Sequence, residues 1–156
     1  MFKSIEENSL ICQLYIYRGI AIVIYVSPEK KAAEKSLAAV LKELMFRELI
    51  DGEAIIGAVV LDSSGSPIVH HLPNTLTMKS IRNLTPIIEM VEHAKKITDD
   101  LLGKFNYLVL HFTNFKIAFF DINGKGTLIV FLNPVWHVEN LMTKIRQFMV
   151  KLAKYL

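Results

Sequence analysis

Residues 57–73 read GAVVLDSSGSPIVHHLP. Two apolar runs flank a polar break, Asp62-Ser63-Ser64-Gly65-Ser66, and the second run closes on His70, His71 and Pro73. Each residue of the break is a turn former: short oxygen-bearing side chains bond neighbouring backbone N–H groups, and glycine takes positive φ freely. The stretch therefore predicts a β-hairpin with strands over Ile55–Leu61 and Pro67–His70. The rival reading is a chemical site. A nucleophilic serine would sit on a Gly-x-Ser-x-Gly elbow leading into a helix, whereas these serines lead into a strand. Adjacent His70 and His71 point to opposite faces of a strand and cannot share a metal ion.

Upstream, Leu10–Val26 (LICQLYIYRGIAIVIYV) is nearly all apolar. It lies at the short limit for a membrane helix. It also carries Gln13 and Arg18 near its centre, where an arginine costs roughly 2.5–3.5 kcal/mol on insertion scales. The flank before it is mixed in charge and no small-residue cleavage site follows, so neither a transmembrane span nor a signal peptide is expected. Its Ile, Val and Tyr content predicts two strands, Ile11–Tyr17 and Ile20–Val26, turning at Arg18-Gly19. The lack of alternation predicts burial on both faces. Ser27-Pro28-Glu29 starts a helix. That helix presents Leu37, Val40, Leu41, Leu44 and Leu49 on one face and stops at Asp51-Gly52.

Downstream, residues 74–102 are helical in period but hold Pro86. This predicts a short turn, a restart capped by Thr85, and a long helix ended by Gly103. Strands Tyr107–Phe112 and Phe115–Ile122 follow, joined at Thr113-Asn114. Asn123-Gly124-Lys125-Gly126 is a hairpin turn, because Asn-Gly supplies positive φ, and it leads into strand Thr127–Leu132. After Asn133-Pro134 a last amphipathic helix runs from about Val138 to Leu156. Its stripe is Leu141, Ile145, Phe148, Met149, Leu152 and Leu156, with Lys144, Lys151 and Lys154 opposite. The order ββ–α–ββ–α–βββ–α predicts one α+β domain over residues 1–156. An antiparallel sheet of about five core strands is sandwiched by helices, and an N-terminal β-hairpin over about residues 10–26 extends it.

The 156 residues are 52% hydrophobic and 21% charged, with a net charge of +3. That composition is globular, and the charge is far from the basic footprint of a nucleic-acid binder, so no nucleic-acid partner is expected. A single cysteine, Cys12, excludes an intrachain disulfide or a Cys-pair zinc site and fits a reducing, cytoplasmic setting. Lying in an apolar run without a cationic neighbour, its thiol is expected to be buried and inert. His93, His111 and His137 fall in different elements, with no metal-binding spacing. Gly124-Lys125-Gly126 lacks the phosphate-loop frame and precedes a strand rather than a helix N-terminus. No catalytic residue, metal or cofactor is therefore expected.

The helix from Pro86 carries more apolar surface than a sheet can cover. At 100° per residue, Ile87, Ile88, Met90, Val91, Ala94, Ile97, Leu101 and Leu102 spread over about 180° of its circumference. Packing one face needs only about 100°. The surplus predicts a covering partner, most simply a second copy of the chain; the alternative cover is the N-terminal hairpin or the last helix. The lysine face of the last helix is either solvated or meets an anionic lipid surface or acidic partner.

From about residue 29 to 155 the sequence resembles the Roadblock family of dynein light chain-like domains. The resemblance is carried by Gly57-Ala58-Val59-Val60-Leu61-Asp62, by Gly65-Ser66-Pro67-Ile68, and by the long helix ending Leu101-Leu102-Gly103. The strands YLVLHF and FKIAFFDI, Gly124 before TLIVFL, and the closing amphipathic helix complete it. The N-terminal hairpin, Pro86 and His70-His71 depart from the family pattern, and a strand pair before a helix is also similar to the related longin fold.

The resemblance implies a non-enzymatic domain that dimerises, with itself or a paralogue, by pairing an edge strand and packing its second helix against its mate. It further implies a platform that binds a Ras-like small GTPase, as scaffold or regulator; some bacterial relatives stimulate their partner's GTP hydrolysis. Matched by position, the seam would lie along strand 105–112 and helix 87–101, with Ile87, Met90, Val91, Ala94, Ile97, Leu101, Tyr107, Val109 and His111 as its residues. Arg82, near the second helix, would be the candidate arginine supplied to the GTPase. A second functional reading is a longin-like adaptor or membrane-trafficking subunit, with Arg82, Lys144, Lys151 and Lys154 as its partner or lipid surface. A third is a small-molecule sensor or enzyme with a pocket between sheet and helices.

Overall fold

The computed structural model describes the backbone of residues 11–17, 20–26 and 28–156, with side chains from residue 36 onward except 98–100. The expected turn at Arg18-Gly19, the cap at Ser27 and the Cys12 thiol lie outside the described residues. The chain divides into two compact units, residues 1–39 and 40–156. In the first, β1 (Ile11–Tyr17) and β2 (Ile20–Val26) pair antiparallel, with Ile11 opposite Val26 and Tyr17 opposite Ile20. Helix α1 (Pro28–Glu48) begins in this unit and ends in the second.

The second unit holds β3 (Ile55–Asp62), β4 (Pro67–His71), α2 (Met78–Arg82), α3 (Thr85–Leu102), β5 (Tyr107–His111), β6 (Lys116–Asp121), β7 (Gly126–Leu132) and α4 (Val138–Leu152). Its five strands form one antiparallel sheet in the order β4-β3-β7-β6-β5. The three inner strands are buried along nearly their whole length, which is why they read as continuous apolar runs. On one face Val59, Leu61, Phe119, Ile129 and Phe131 pack with Ile81 of α2, and Ile87 and Ile88 of α3 close over them. The opposite parity carries Ala58, Val60, Ala118, Phe120, Leu128 and Val130, all buried. Phe46 of α1 meets His71, which pairs with Ala58, and Met142 and Met149 of α4 share a cleft with Phe120, so the buried residues of α1 (Leu41, Leu44, Met45) and of α4 (Ile145, Phe148, Leu152) lie on that side. Helices on both faces make the expected α+β sandwich.

The opening stretch is a sheet-building hairpin, each strand running one residue longer than expected. The Asp62 Oδ1 accepts hydrogen bonds from the Ser64 and Ser66 backbone N–H groups and from the Ser64 hydroxyl. Those serines are thus spent on the turn. Gly126 stands where β7 passes β3 so closely that a Cβ would collide with the Leu61 carbonyl oxygen. A glycine is therefore required beyond the turn itself.

Two expectations about the helices' own faces and caps need correction. Val40 is 42% exposed, and Met45, fully buried, takes its place on the inner face of α1. Leu41, Leu44 and Met45 stand three and four residues apart on one side, while Val40 lies about 100° away from Leu41. The restart before Pro86 is capped by Leu84 rather than Thr85, without a side-chain hydrogen bond. The Leu84 N–H donates to the Ile81 carbonyl, and the Leu84 carbonyl accepts from Ile87 and Ile88, so the turn runs on from α2 into α3. Pro86 then falls in the first turn, where a missing N–H costs nothing. It is Thr77, in a capping box with Ser80, that caps the preceding helix.

Candidate interaction surface

Helix α3 has two apolar faces of different fate. Val91 is 5% exposed, and Ile87 and Ile88 pack on the sheet core. Lys95 follows on this inward side, its ammonium 2.7 Å from Asp121 on β6 and 3.0 Å from Glu92. Burial pulls the Lys95 pKa down, but the Asp121 and Glu92 carboxylates outweigh it and hold the group above its ordinary value. About 100° round the helix lies a second stripe. Met90, Ile97 and Leu101 are 55%, 56% and 81% exposed, with half-buried Ala94 between them. Positions 90, 94, 97 and 101 recur at the four-three-four spacing of a helix-pairing seam. Of the α3 residues expected there, Val91 and Ile87 instead serve the chain's own core.

Strand β5 is an edge of the sheet, paired with β6 alone among the described residues. Tyr107 lies opposite Phe120, and their rings stack with centroids 5.6 Å apart. Phe120 has the opposite parity to Phe119, which packs under α3. Tyr107, Val109 and His111 therefore belong to the α4 side of the sheet, whereas Leu108 and Leu110 pack on the α3 side. The Tyr107 hydroxyl donates to Glu139 Oε1 on α4 at 3.1 Å. This corrects the grouping expected from sequence. On the α3 side of the sheet β5 offers its backbone edge, unpaired among the described residues, with Leu108 and Leu110, not the side chains of Tyr107, Val109 and His111. Strand parity against β6 was the signal that could have shown it.

The lysine face of α4 is partly spent. Lys144 pairs with Asp51 at 2.6 Å and Lys151 with Glu48 at 2.7 Å, tying α4 to the end of α1; Lys154 is exposed. Burial pushes the Asp51 carboxyl up, but the Lys144 ammonium and the N–H groups of Ile55, Glu53 and Ala54 outweigh it and hold the pKa at about 2. Arg82 is exposed in the last turn of α2.

Asp62, Ser63 and Gly65 do come together with Lys95 and Asp121, around a cleft of about 70 Å³. Ligand pockets run to about 300–1,000 Å³; this cleft is well below that, and the adjoining one along Ser63, Gly65, Ile88, Glu92 and Lys96 opens to about 380 Å³. His70 is exposed, and the His71 ring meets Phe46 edge-on at 4.7 Å. Among the described residues no cluster of His, Cys, Asp or Glu could hold a metal ion, and no helix is long and apolar enough to cross a membrane.

No family model and no curated protein sequence matches the chain. Solved structures do. A Roadblock/LC7 domain from Streptomyces avermitilis superposes with a TM-score of 0.55 at 12% identity, over 77% of this chain and 94% of that one. MglB from Myxococcus xanthus gives a TM-score of 0.58 at 16% identity, over 85% and 92% of the two chains. An MglB with a tetrameric arrangement gives 0.55 at 18% identity, over 85% and 92%. At such identities the likeness is one of architecture, and the architecture of this chain is the Roadblock/LC7 fold.

Proposed function

We propose that this chain is a non-catalytic, cytoplasmic scaffold that pairs with itself or a paralogue and docks a Ras-like small GTPase. The observation that carries the pairing is the exposed Met90–Ala94–Ile97–Leu101 stripe, which runs on the same side of the sheet as Leu108 and Leu110 of the open β5 edge. Apolar surface and unpaired strand edge are both liabilities in water, and a twofold pairing removes them together. A structure of similar fold has a tetrameric arrangement, which supports self-association as a habit of this architecture. GTPase docking rests on the Roadblock resemblance.

The mechanism is positional. Two sheets joined at β5 give a rigid platform, and any acceleration of hydrolysis comes from repositioning the GTPase's own groups or from a supplied arginine, for which Arg82 is available. The adaptor reading needs a free lysine face, and Lys144 and Lys151 are already ion-paired, so the scaffold is favoured. Two measurements test the proposal. Light scattering at micromolar concentration should give twice the 17.8 kDa chain mass. The protein should also co-elute with a small GTPase of the same genome in one nucleotide state. A lone chain mass removes the shared platform, and failure to bind any such GTPase removes the docking.

A further inference from the structure

Helix α4 meets the sheet edge along Glu139, Met142, Arg146 and Met149, which recur at the three- and four-residue steps of one helix face. Glu139 is held by the Tyr107 hydroxyl. Further along the helix this seam opens into a cleft of about 170 Å³ between α4, the β6–β7 turn and the residues leading into β5. Phe120, Met142 and Met149 give it an apolar lining, and Lys104, Asn123 and Arg146 bring polar groups to it.

Its charge is one-sided. The carboxylate among the lining residues, Asp121, already accepts from the Lys95 ammonium at 2.7 Å and from the Gly124 N–H. Lys104 and Arg146 take part in none of the ion pairs among the described residues, in contrast to Lys95, Lys144 and Lys151. Two cations with no ion pair among the described residues therefore flank a recess walled by methionines and Phe120. The recess is well below the size of small-molecule pockets and suits one side chain. Methionine walls adapt to the shape of an aliphatic group, and a guanidinium grips a carboxylate through a planar fork.

We propose that this cleft docks an acidic peptide segment of a partner protein. One aliphatic side chain enters between Met142 and Met149, and flanking carboxylates are held by Arg146 and Lys104. A recess of this kind is poorly matched to a flat lipid surface, which favours protruding apolar groups. The site faces the α4 side of the sheet, away from the α3 stripe, although Phe105 and Asn106 in its lining lead into the β5 edge.

The probe is a short labelled peptide with one leucine flanked by glutamates in a Gly-Ser background, read by fluorescence anisotropy. Matched peptides carry glutamine or lysine in place of glutamate. The glutamate peptide should bind at least about tenfold tighter than the glutamine one, and raising the salt should weaken it by screening the charges. Arg146→Glu and Lys104→Glu should each cost about tenfold or more, while Lys79→Glu, an exposed change on α2, should leave the affinity unchanged. Circular dichroism checks folding, and Arg146→Gln is read instead if Arg146→Glu unfolds. Equal binding of the glutamate and glutamine peptides, no binding of either, or equal losses at Arg146 and Lys79 overturns the proposal. So does Arg146-dependent flotation with phosphatidylserine vesicles in place of peptide binding. The mass in solution does not enter these readouts, so their failure is distinct from failure of the α3 seam.

Discussion

Ile97→Ser isolates the outward stripe of α3 from the protomer's own core. Ile97 keeps 56% of its surface exposed. Fully burying an isoleucine contributes about 1.5–3 kcal/mol, so covering the exposed share contributes about 1–1.5 kcal/mol. In a twofold pair each substitution counts twice, for a loss of about 2–3 kcal/mol. That corresponds to a dissociation constant raised about 30- to 150-fold. Sedimentation velocity over a concentration series reads this shift directly. The fold should be indifferent, with unfolding free energy unchanged within about 0.5 kcal/mol, because a lone exposed side chain contributes little. Val91→Ser, one step round the helix at 5% exposure, should do the reverse and cost about 1–3 kcal/mol of stability. Equal dissociation constants for wild type and Ile97→Ser, or an Ile97→Ser protein that melts as early as Val91→Ser, would refute the reasoning. In the first case nothing covers Ile97; in the second it is buried at home.

Asp51 ties stability to acid. Its folded pKa of about 2 lies below the ordinary 3.8, so its contribution is fully present above about pH 4 and is lost as the pH falls towards 2. Because the side chain is 33% exposed, solvent screening reduces the value to about 1 kcal/mol. Asp51→Asn should therefore destabilise by about that much at pH 7 and flatten the stability profile between pH 4 and 2, measured by urea titration. Gly126→Ala should cost about 1–3 kcal/mol by forcing β7 from β3. Gly65→Ala, whose new Cβ meets nothing at a φ of +82°, should cost about 1–2 kcal/mol. Thermal melts that rank Gly65→Ala as the more damaging would count against the close β3–β7 crossing. Phe148→Ala, at 1% exposure, should remove about 3–5 kcal/mol in denaturant unfolding, and a loss under about 1 kcal/mol would place the ring outside the core.

What the sequence determined by itself was local. The Asp62–Ser66 turn, the Asn123-Gly124 turn and the stripes of α3 and α4 were legible because turn chemistry and helical period are written within a few neighbouring residues. Even the surplus apolar arc of α3 could be counted from one segment. Tertiary structure decided which part of that arc turns inward: Val91 went to the core and Met90 to the surface because the sheet lies on one side. It also set the parity of β5, sending Tyr107 to α4 and Leu108 to α3. The Lys144–Asp51 pair and the cleft beside Arg146 join residues far apart in the chain. Periodicity states that a face exists, but its rotational phase and its neighbours are fixed only when strands choose their order and helices their side. That choice belongs to packing of the whole core, not to any window of sequence.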